Sequence, residues 1–146
     1  MSAEKNKAKV RGFYEKAVNA GDLSAVDELV GSPEIIHASG GGVGENTPAL
    51  VRQWVIDLRA AFPDIRVTVE DFIAEGDKLV NRVTYRGTHT GDWDIPVWGR
   101  VAPTGKRIEW LAIAINRFAN GKSVEAWDIL DESSIWQQLG LVTAKK

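Results

Sequence analysis

One carboxylate, Asp128, stands in the middle of an apolar stretch near the carboxyl end of the chain, between Trp127 and Ile129. A charged acid in such a strand costs several kcal/mol if it stays unpaired. Burial also raises the pKa of a carboxyl towards the pH at which it can exchange protons. This placement predicts a general acid/base that acts on a small molecule. The alternative is an acid that caps a loop or pairs with an arginine.

Three further side chains are candidate partners for that acid. His89 follows Tyr85 on the apolar face of a predicted strand, where a neutral imidazole could hydrogen-bond Asp128 or orient a carbonyl. His37 is a candidate second acid/base on the first short strand, and Tyr14 lies on an apolar helical face. Buried histidines and tyrosines with satisfied hydrogen bonds are the alternative for all three.

The chain also contains six tryptophans, which is a high number for 146 residues. Their large flat rings suit the wall of a pocket for a polycyclic ligand, although ordinary core packing is the alternative. Small alanines beside them would leave room for that ligand. The predicted substrate-binding residues are Tyr14, Trp54, Tyr85, Trp93, Trp98, Trp110, Ala112, Ala114 and Asn116.

Composition excludes several other classes of protein. The net charge is −2 and the chain contains no cysteine, so a nucleic-acid surface and thiolate metal sites are not expected. Two histidines and Asp128 have no local spacing typical of metal ligands, which predicts no metal site. No apolar stretch approaches 18 residues and no signal peptide is recognisable, so we expect a cytoplasmic protein without membrane contact.

The periodicity of apolar residues predicts the elements that position these groups. Helical spacing covers residues 4–19, 23–30 and 48–62, whereas alternation predicts strands from residue 65 onwards. A short strand over 34–37 precedes a flexible loop over 39–44, and a last helix ends at Gly140. The order predicts a single α+β domain over residues 1–146, with helices packed on one face of a bent antiparallel sheet.

The hairpin at Asn120-Gly121 decides which face of the sheet carries Asp128. A three-residue loop with a bulge at Gly121 would place Asp128 opposite Ala112, on the inner face. A two-residue loop would turn it towards the other face. In the first register a stripe faces away from the pocket, and because soluble monomers rarely expose such a stripe we predict a homodimer. The stripe comprises Leu111, Ile113, Ile115 and Trp127.

Several segments resemble the SnoaL-like polyketide cyclases of the nuclear transport factor 2-like superfamily. They are Asn-Ala-Gly-Asp-Leu at 19–23, Ala-Ala-Phe-Pro-Asp-Ile at 60–65, Gly-Thr-His-Thr-Gly at 87–91, Pro-Thr-Gly at 103–105, Trp-Asp at 127–128 and Gln-Leu-Gly at 138–140. The resemblance implies a cone-shaped (cystatin-like) barrel whose bent sheet carries helices on its concave side. It also implies a cofactor-free enzyme that uses Asp128 as general acid/base in an aldol-type ring closure.

The same resemblance assigns the remaining positions. The histidine that assists in those cyclases falls at Ala114, His37 takes the place of a polar residue on the first strand, and His89 matches the motif histidine. Ketosteroid isomerase-like enzymes are an alternative, with Tyr14 as the oxyanion donor. We therefore predict cyclisation or enolisation of a hydrophobic carbonyl compound, with isomerisation, non-catalytic binding and a vestigial cavity as alternatives.

Overall fold

The chain forms four α-helices and eight strands within residues 2–39, 41–95 and 99–143, the part that the computed structural model describes. The helices are α1 Ala3–Gly12, α2 Ser24–Leu29, α3 Pro48–Ala61 and α4 Glu132–Leu139, and a π-helical segment, Phe13–Val18, follows α1. The strands are β1 Val30–His37, β2 Val43–Asn46, β3 Arg66–Glu75, β4 Lys78–Thr88, β5 Trp93–Ile95, β6 Gly99–Val101, β7 Arg107–Ala119 and β8 Lys122–Leu130.

Six of these strands form one sheet in the order β2-β1-β8-β7-β4-β3, and β5 and β6 form a separate two-stranded sheet. Every neighbouring pair is antiparallel except β1 and β8, which run parallel. This mixed α+β architecture with a curved sheet confirms the predicted fold class. The flexible loop predicted over residues 39–44 is wrong at its end, because Val43 and Gly44 already pair with β1 in strand β2.

The helices begin and end where short-range signals predict. The Thr47 hydroxyl accepts a hydrogen bond from the Leu50 amide at 3.2 Å, and Pro48 occupies the first position of α3. The predicted first helix over residues 4–19 is α-helical only as far as Gly12. In the π-helical segment the Asn19 amide donates to the Tyr14 carbonyl at 2.9 Å, a spacing often found at functional sites.

Alternation along the central strands separates a buried inner face from an open outer face. On β4 the inner positions include Leu79, Val83 and Tyr85, each at most 4% exposed. On β7 the outer positions Leu111 and Ile113 are both 47% exposed. The stripe expected to face away from the pocket does so. None of the helices in the described ranges has the length and apolar content of a membrane-spanning helix.

The β7–β8 hairpin has a two-residue turn and a bulge. Asn120 and Gly121 have φ values of 50° and 77°, which is the left-handed geometry of a type I′ turn. Ala119 pairs with Lys122, but the register shifts by one residue at Val124, which lies in a bulge. The predicted three-residue loop is therefore wrong. The predicted face of Asp128 is nevertheless the one observed, since the bulge restores the register that the shorter turn would have reversed.

Candidate active site

Asp128 lies on the inner face of β8 in a row that crosses three strands. It pairs with Ala114 of β7, which in turn pairs with Asn81 of β4. The predicted partner was Ala112, and the actual partner lies two residues further along β7. The small side chain of Ala114 leaves the carboxyl facing helical side chains across the concave side of the sheet.

The surroundings of Asp128 favour its protonated form. Burial is the largest cause and the negative charge of Glu34 the second, and together they raise its pKa to about 6. Within the described residues no hydrogen bond or ion pair reaches the Asp128 side chain. A carboxyl with a pKa near neutrality and free lone pairs can accept and return a proton.

Tyr14 and Tyr85 lie close enough to Asp128 for its charge to raise the pKa of both. We call the space between these three side chains, on the concave side of the sheet, the enclosure; Asp128 is half-buried there. Burial raises the pKa of Tyr14 well above its ordinary value, and the charges of Tyr85 and Asp128 act in the same direction. Burial and the charge of Asp128 likewise raise the pKa of Tyr85. The two rings meet edge to face at 6.3 Å. The charge of Asp128 acts on Tyr14, but no hydrogen bond joins the two side chains in the described part of the chain, so the expected reach between them stays a prediction.

A buried polar network connects Tyr14 to Glu34. The Tyr14 hydroxyl donates to Asn81 Oδ1 at 2.9 Å, Asn81 Nδ2 donates to Asn116 Oδ1 at 3.2 Å, and Asn116 Nδ2 donates to Ser123 Oγ at 3.0 Å. Ser123 also hydrogen-bonds Glu34, which is 4% exposed. The sequence analysis missed Glu34, Asn81 and Ser123, although Asn81 stands out as a polar residue on the apolar face of β4.

A glycine allows β1 to carry Glu34 into this network. A Cβ atom on Gly31 would lie 2.6 Å from the Ser123 carbonyl oxygen, which is closer than real Cβ contacts allow. Strand β1 also has a register irregularity between Val30 and Ile35, beside the β8 bulge. The two irregular stretches together bring Glu34 and Ser123 into contact on the inner face.

His89 lies at the far end of the inner face, eight residues along β4 from Asn81. It is fully buried, and its Nδ1 accepts a hydrogen bond from the Thr104 amide at 3.3 Å. Burial lowers the pKa of His89, which favours the neutral ring. Because Nδ1 accepts, Nε2 carries the proton; no acceptor among the described residues meets hydrogen-bond geometry with it, although the Gly91 backbone acts to raise the pKa of the ring. The expected contact between His89 and Asp128 is absent from the described part of the chain.

Aromatic rings fill the inner face around His89. Trp110 stacks on Tyr85 at 5.1 Å with an interplanar angle of 2°, and Phe62 packs against Trp93 at 4.9 Å. Trp110, Ala112, Ala114 and Asn116 are all buried on the inner side of β7, as predicted. Trp54 is different, since it is 43% exposed on α3. Trp98 lies outside the described residues.

His37 lies on the opposite face of the sheet from Asp128, so its predicted place at the rim of the pocket is wrong. Strand β1 runs parallel to β8 with Ile36 beside Ala126, which puts His37 beside Trp127 on the outer face. The two rings stack at 5.0 Å with an interplanar angle of 5°. His37 Nε2 lies 2.8 Å from a carboxylate oxygen of Glu125, also on the outer face.

Asp128 lines neither of two surface depressions that the described residues form. One of about 440 Å³ lies between the first helical region and the edge strand β3, with Arg11 and Arg66 among its lining residues. The other, of about 170 Å³, lies against Leu111 and Ile129 at the outer face. No group of three or more histidine, aspartate or glutamate side chains in the described ranges is placed to hold a metal ion.

The curved sheet and the helices on its concave side form a nuclear transport factor 2-like α+β fold. The family model of the SnoaL-like polyketide cyclases matches residues 8–139 of this chain. The chain therefore belongs to the SnoaL-like polyketide cyclase family. A search of curated proteins finds no match.

Several solved structures share the fold over almost the whole chain. AclR of Streptomyces galilaeus, provisionally assigned as a hydroxylase, is 27% identical with a TM-score of 0.80, over 99% of this chain and 87% of that one. A provisionally assigned polyketide cyclase of Acidithiobacillus ferrooxidans is 28% identical with a TM-score of 0.77, over 97% and 99%. IdmH of Streptomyces antibioticus, also provisionally a polyketide cyclase, is 31% identical with a TM-score of 0.72, over 92% and 98%.

Proposed function

We propose that the protein is a cofactor-independent enzyme that enolises or cyclises a hydrophobic carbonyl compound, with Asp128 as general acid/base. The observation that carries this proposal is the Asp128 carboxyl, whose pKa is raised to about 6 in an enclosure shared with two tyrosines. Membership of the SnoaL-like polyketide cyclase family supports the same type of chemistry.

In this proposal the Asp128 carboxylate removes a proton from the carbon next to a carbonyl group, and the electron pair of that C–H bond forms an enolate. The enolate carbon then attacks a second carbonyl of the same molecule, and a new carbon–carbon bond closes the ring. Protonated Asp128 returns its proton to the resulting alkoxide. Aromatic residues such as Trp93 and Trp110 would hold the flat substrate against the inner face.

The enolate oxygen needs a hydrogen-bond donor as it gains charge. Tyr14 already donates its proton to Asn81, so we assign this role to Tyr85, which would exchange its side-chain hydrogen bond with Tyr14 for one to the enolate oxygen. The pKa of Tyr85 is raised, which keeps its proton in place at working pH. His89 lies beyond the end of β4 and is fully buried among aromatic rings, so we assign it no contact with the substrate.

Proton abstraction can be tested without knowledge of the product. A panel of hydrophobic β-dicarbonyl compounds is incubated with the protein in deuterium oxide, and incorporation of deuterium next to the carbonyl is followed by NMR. We expect the rate to rise with pH through about 6 as Asp128 ionises. Asp128→Asn should lower it about 10²–10⁴-fold, whereas Glu125→Gln on the outer face of the same strand should not.

The unmodified protein and Asp128→Asn could both bind a ligand without exchanging its protons for deuterium. That result would favour a non-catalytic binding protein. Equal losses in Asp128→Asn and Glu125→Gln would mean that the effect is not specific to the inner face, and would contradict the assigned role of Asp128.

We also propose that the protein is a homodimer that pairs through the outer face of the sheet. Ile129 is 67% exposed there, next to Ile113 on the neighbouring strand. Monomers rarely leave such a contiguous apolar surface uncovered. Light scattering should give twice the mass of one chain. Ile113→Asp should reduce the measured mass to that of one chain. Leu50 on α3 is also apolar and exposed, and Leu50→Asp should leave the measured mass unchanged.

A further inference from the structure

We propose that Glu34 is a second acid of the Asp128 site. Glu34 is the first of the two acids to ionise, and it orients Tyr14 through a chain of hydrogen-bonded side chains. The inference deepens the function proposed for Asp128 and rests on it, but it makes a statement about protonation that can be tested without a substrate.

Glu34 is surrounded by neutral donors. It is 4% exposed, and Asn46 Nδ2 donates to its Oε1 at 3.3 Å, while Ser123 contributes a second hydrogen bond. No ion pair to Glu34 occurs in the described part of the chain. Burial raises the pKa of Glu34, and the hydrogen bonds of Ser123 and Asn46 act against that rise. A carboxylate that accepts hydrogen bonds is easier to ionise than one without them.

Asp128 has no such donors among the described residues, so the two acids differ in how readily they ionise. When like charges share a buried site, the first ionisation opposes the second. Glu34 ionises first because it has the donors, and its charge then contributes to the raised pKa of Asp128. The pair therefore passes from one negative charge to two only when the pH rises through the Asp128 transition.

Asp128 lies beside the buried network in the sheet, because it pairs with Ala114, which pairs with Asn81. Asn116 of the same network pairs with Ala126, the next inner residue on the strand of Asp128.

The groups whose charges couple to Asp128 come from three other elements. They are Glu34 on β1, Tyr14 in the π-helical segment and Tyr85 on β4. Both tyrosines have raised pKa values and stay neutral, which leaves Glu34 as the charge that acts on Asp128. The side chains of Glu125, His37 and Arg117 contact one another on the outer face, away from Asp128.

The chain between Glu34 and Tyr14 has a single direction. Each member donates towards Glu34, from the Tyr14 hydroxyl to Asn81, from Asn81 to Asn116 and from Asn116 to Ser123. An asparagine cannot reverse its donor and acceptor ends without turning over, so the direction is fixed as long as Glu34 accepts. Tyr14 consequently directs its proton to Asn81, and its oxygen is left to the side-chain hydrogen bond with Tyr85.

The first experiment is a titration of the side-chain carboxyl carbons by NMR in the full-length protein without ligand. In the unmodified protein Asp128 should titrate near pH 6 and Glu34 at lower pH, each showing a small response to the other. In Glu34→Gln the pKa of Asp128 should fall towards the ordinary aspartate value of about 3.9. Glu125→Gln is the matched control and should leave the Asp128 titration unchanged. An unchanged Asp128 pKa in folded Glu34→Gln overturns the inference.

A second variant keeps the inference falsifiable if Glu34→Gln does not fold. Ser123→Ala removes a donor from Glu34 without removing a charge, so the pKa of Glu34 should rise and the two transitions should move closer together. Unmoved transitions would contradict the proposed order of ionisation. Because neither titration involves turnover, an inactive protein with the expected shifts would refute only the proposed catalysis.

The positioning role has its own spectroscopic test. The chain contains two tyrosines, so Tyr85→Phe leaves Tyr14 as the single source of tyrosine bands. The Raman Fermi doublet of tyrosine reports whether the hydroxyl donates or accepts a hydrogen bond. In Tyr85→Phe the doublet should show that the Tyr14 hydroxyl donates a hydrogen bond. When Ser123→Ala is added, the doublet should lose this donor character. A doublet that shows an acceptor in Tyr85→Phe, or that Ser123→Ala does not change, overturns the assigned direction.

Discussion

Strand β8 carries two acids three residues apart, and the two faces of the sheet give them opposite properties. Glu125 on the outer face accepts from Arg117 Nε at 3.0 Å and contacts His37 at 2.8 Å, and these partners lower its pKa. Asp128 on the inner face has no such partner in the described structure, and burial raises its pKa to about 6. The same strand thus makes one acid a structural anchor and leaves the other able to exchange protons.

The difference shows that hydrogen-bond and ion-pair partners, rather than position on a strand, decide whether a carboxyl can exchange protons near neutral pH. An acid with bound cations has its charge neutralised and its lone pairs used, so it has little proton affinity left at neutral pH. An acid left without donors in an enclosure costs stability and retains that affinity. The predictions that follow test this contrast, beginning with the largest effect.

The largest expected effect is a gain of stability when Asp128 is replaced by Asn. The folded pKa of about 6 lies above the unfolded one, so the stability linked to Asp128 is fully present below about pH 4 and is lost as the pH rises through about 6. The loss approaches about 3 kcal/mol at pH 8. Urea unfolding should therefore find Asp128→Asn more stable than the unmodified protein at pH 8, with the advantage gone at pH 4. An equal difference at both values would contradict a raised Asp128 pKa.

The second largest effect is expected from Asn81, whose buried side-chain amide links Tyr14 to Asn116. Asn81→Ala leaves the Tyr14 hydroxyl without its acceptor and Asn116 without its donor, and should lower the free energy of unfolding by about 2 kcal/mol. The neighbouring Arg82 faces outward in an ion pair with Asp71, so Arg82→Ala should cost about 1 kcal/mol or less. A reversed order in chemical denaturation would contradict the contrast between the faces.

A smaller effect is expected from His37 on the outer face. His37→Ala removes a ring stacked on Trp127 and one hydrogen bond to Glu125, and should cost about 1 kcal/mol. His37→Phe, which keeps the stack, should recover part of that loss. Deuterium exchange into a β-dicarbonyl probe should be unaffected in both variants. A large loss of exchange in His37→Phe would restore the catalytic role that the sequence suggested for His37.

The smallest effect is expected from Glu125→Gln. The pKa of Glu125 is lowered in the fold, so its stabilisation is present above the unfolded pKa and disappears as the pH falls below it. The variant should be slightly less stable than the unmodified protein at neutral pH and equal to it in acid. Added salt should reduce the difference, because exposed charges are screened. A difference that persists in acid or in high salt would point to a packing effect instead.

Local patterns were enough to predict the elements and part of the site. The Thr47-Pro48 start of α3, the Asn120-Gly121 turn and the inner face of β7 all depend on neighbouring residues along the chain. Asn81 could have been found by the same means, since it interrupts the apolar alternation between Leu79 and Val83. Glu34 shares a strand face with Ile36 by simple alternation, and that signal was also present.

The place of His37 was not predictable from its own strand. Which face of β1 meets the concave side depends on its parallel register with β8, where Ile36 pairs with Ala126. That register is set by contacts between distant parts of the chain. The association of His89 with Thr104 is likewise non-local, because the loop after β4 must fold back before its amide can reach the ring.

Because of the bulge at Val124, Asp128 lies on the inner face only if the β7–β8 hairpin keeps its number of residues. Side chains alternate along a strand, so removal of one residue there would exchange inside and outside for every position that follows. A single in-frame codon deletion would then turn Trp127 to the inner face and Asp128 to the outer face. Natural variation in this hairpin should accordingly tolerate many exchanges of amino acid and very few changes in the number of residues.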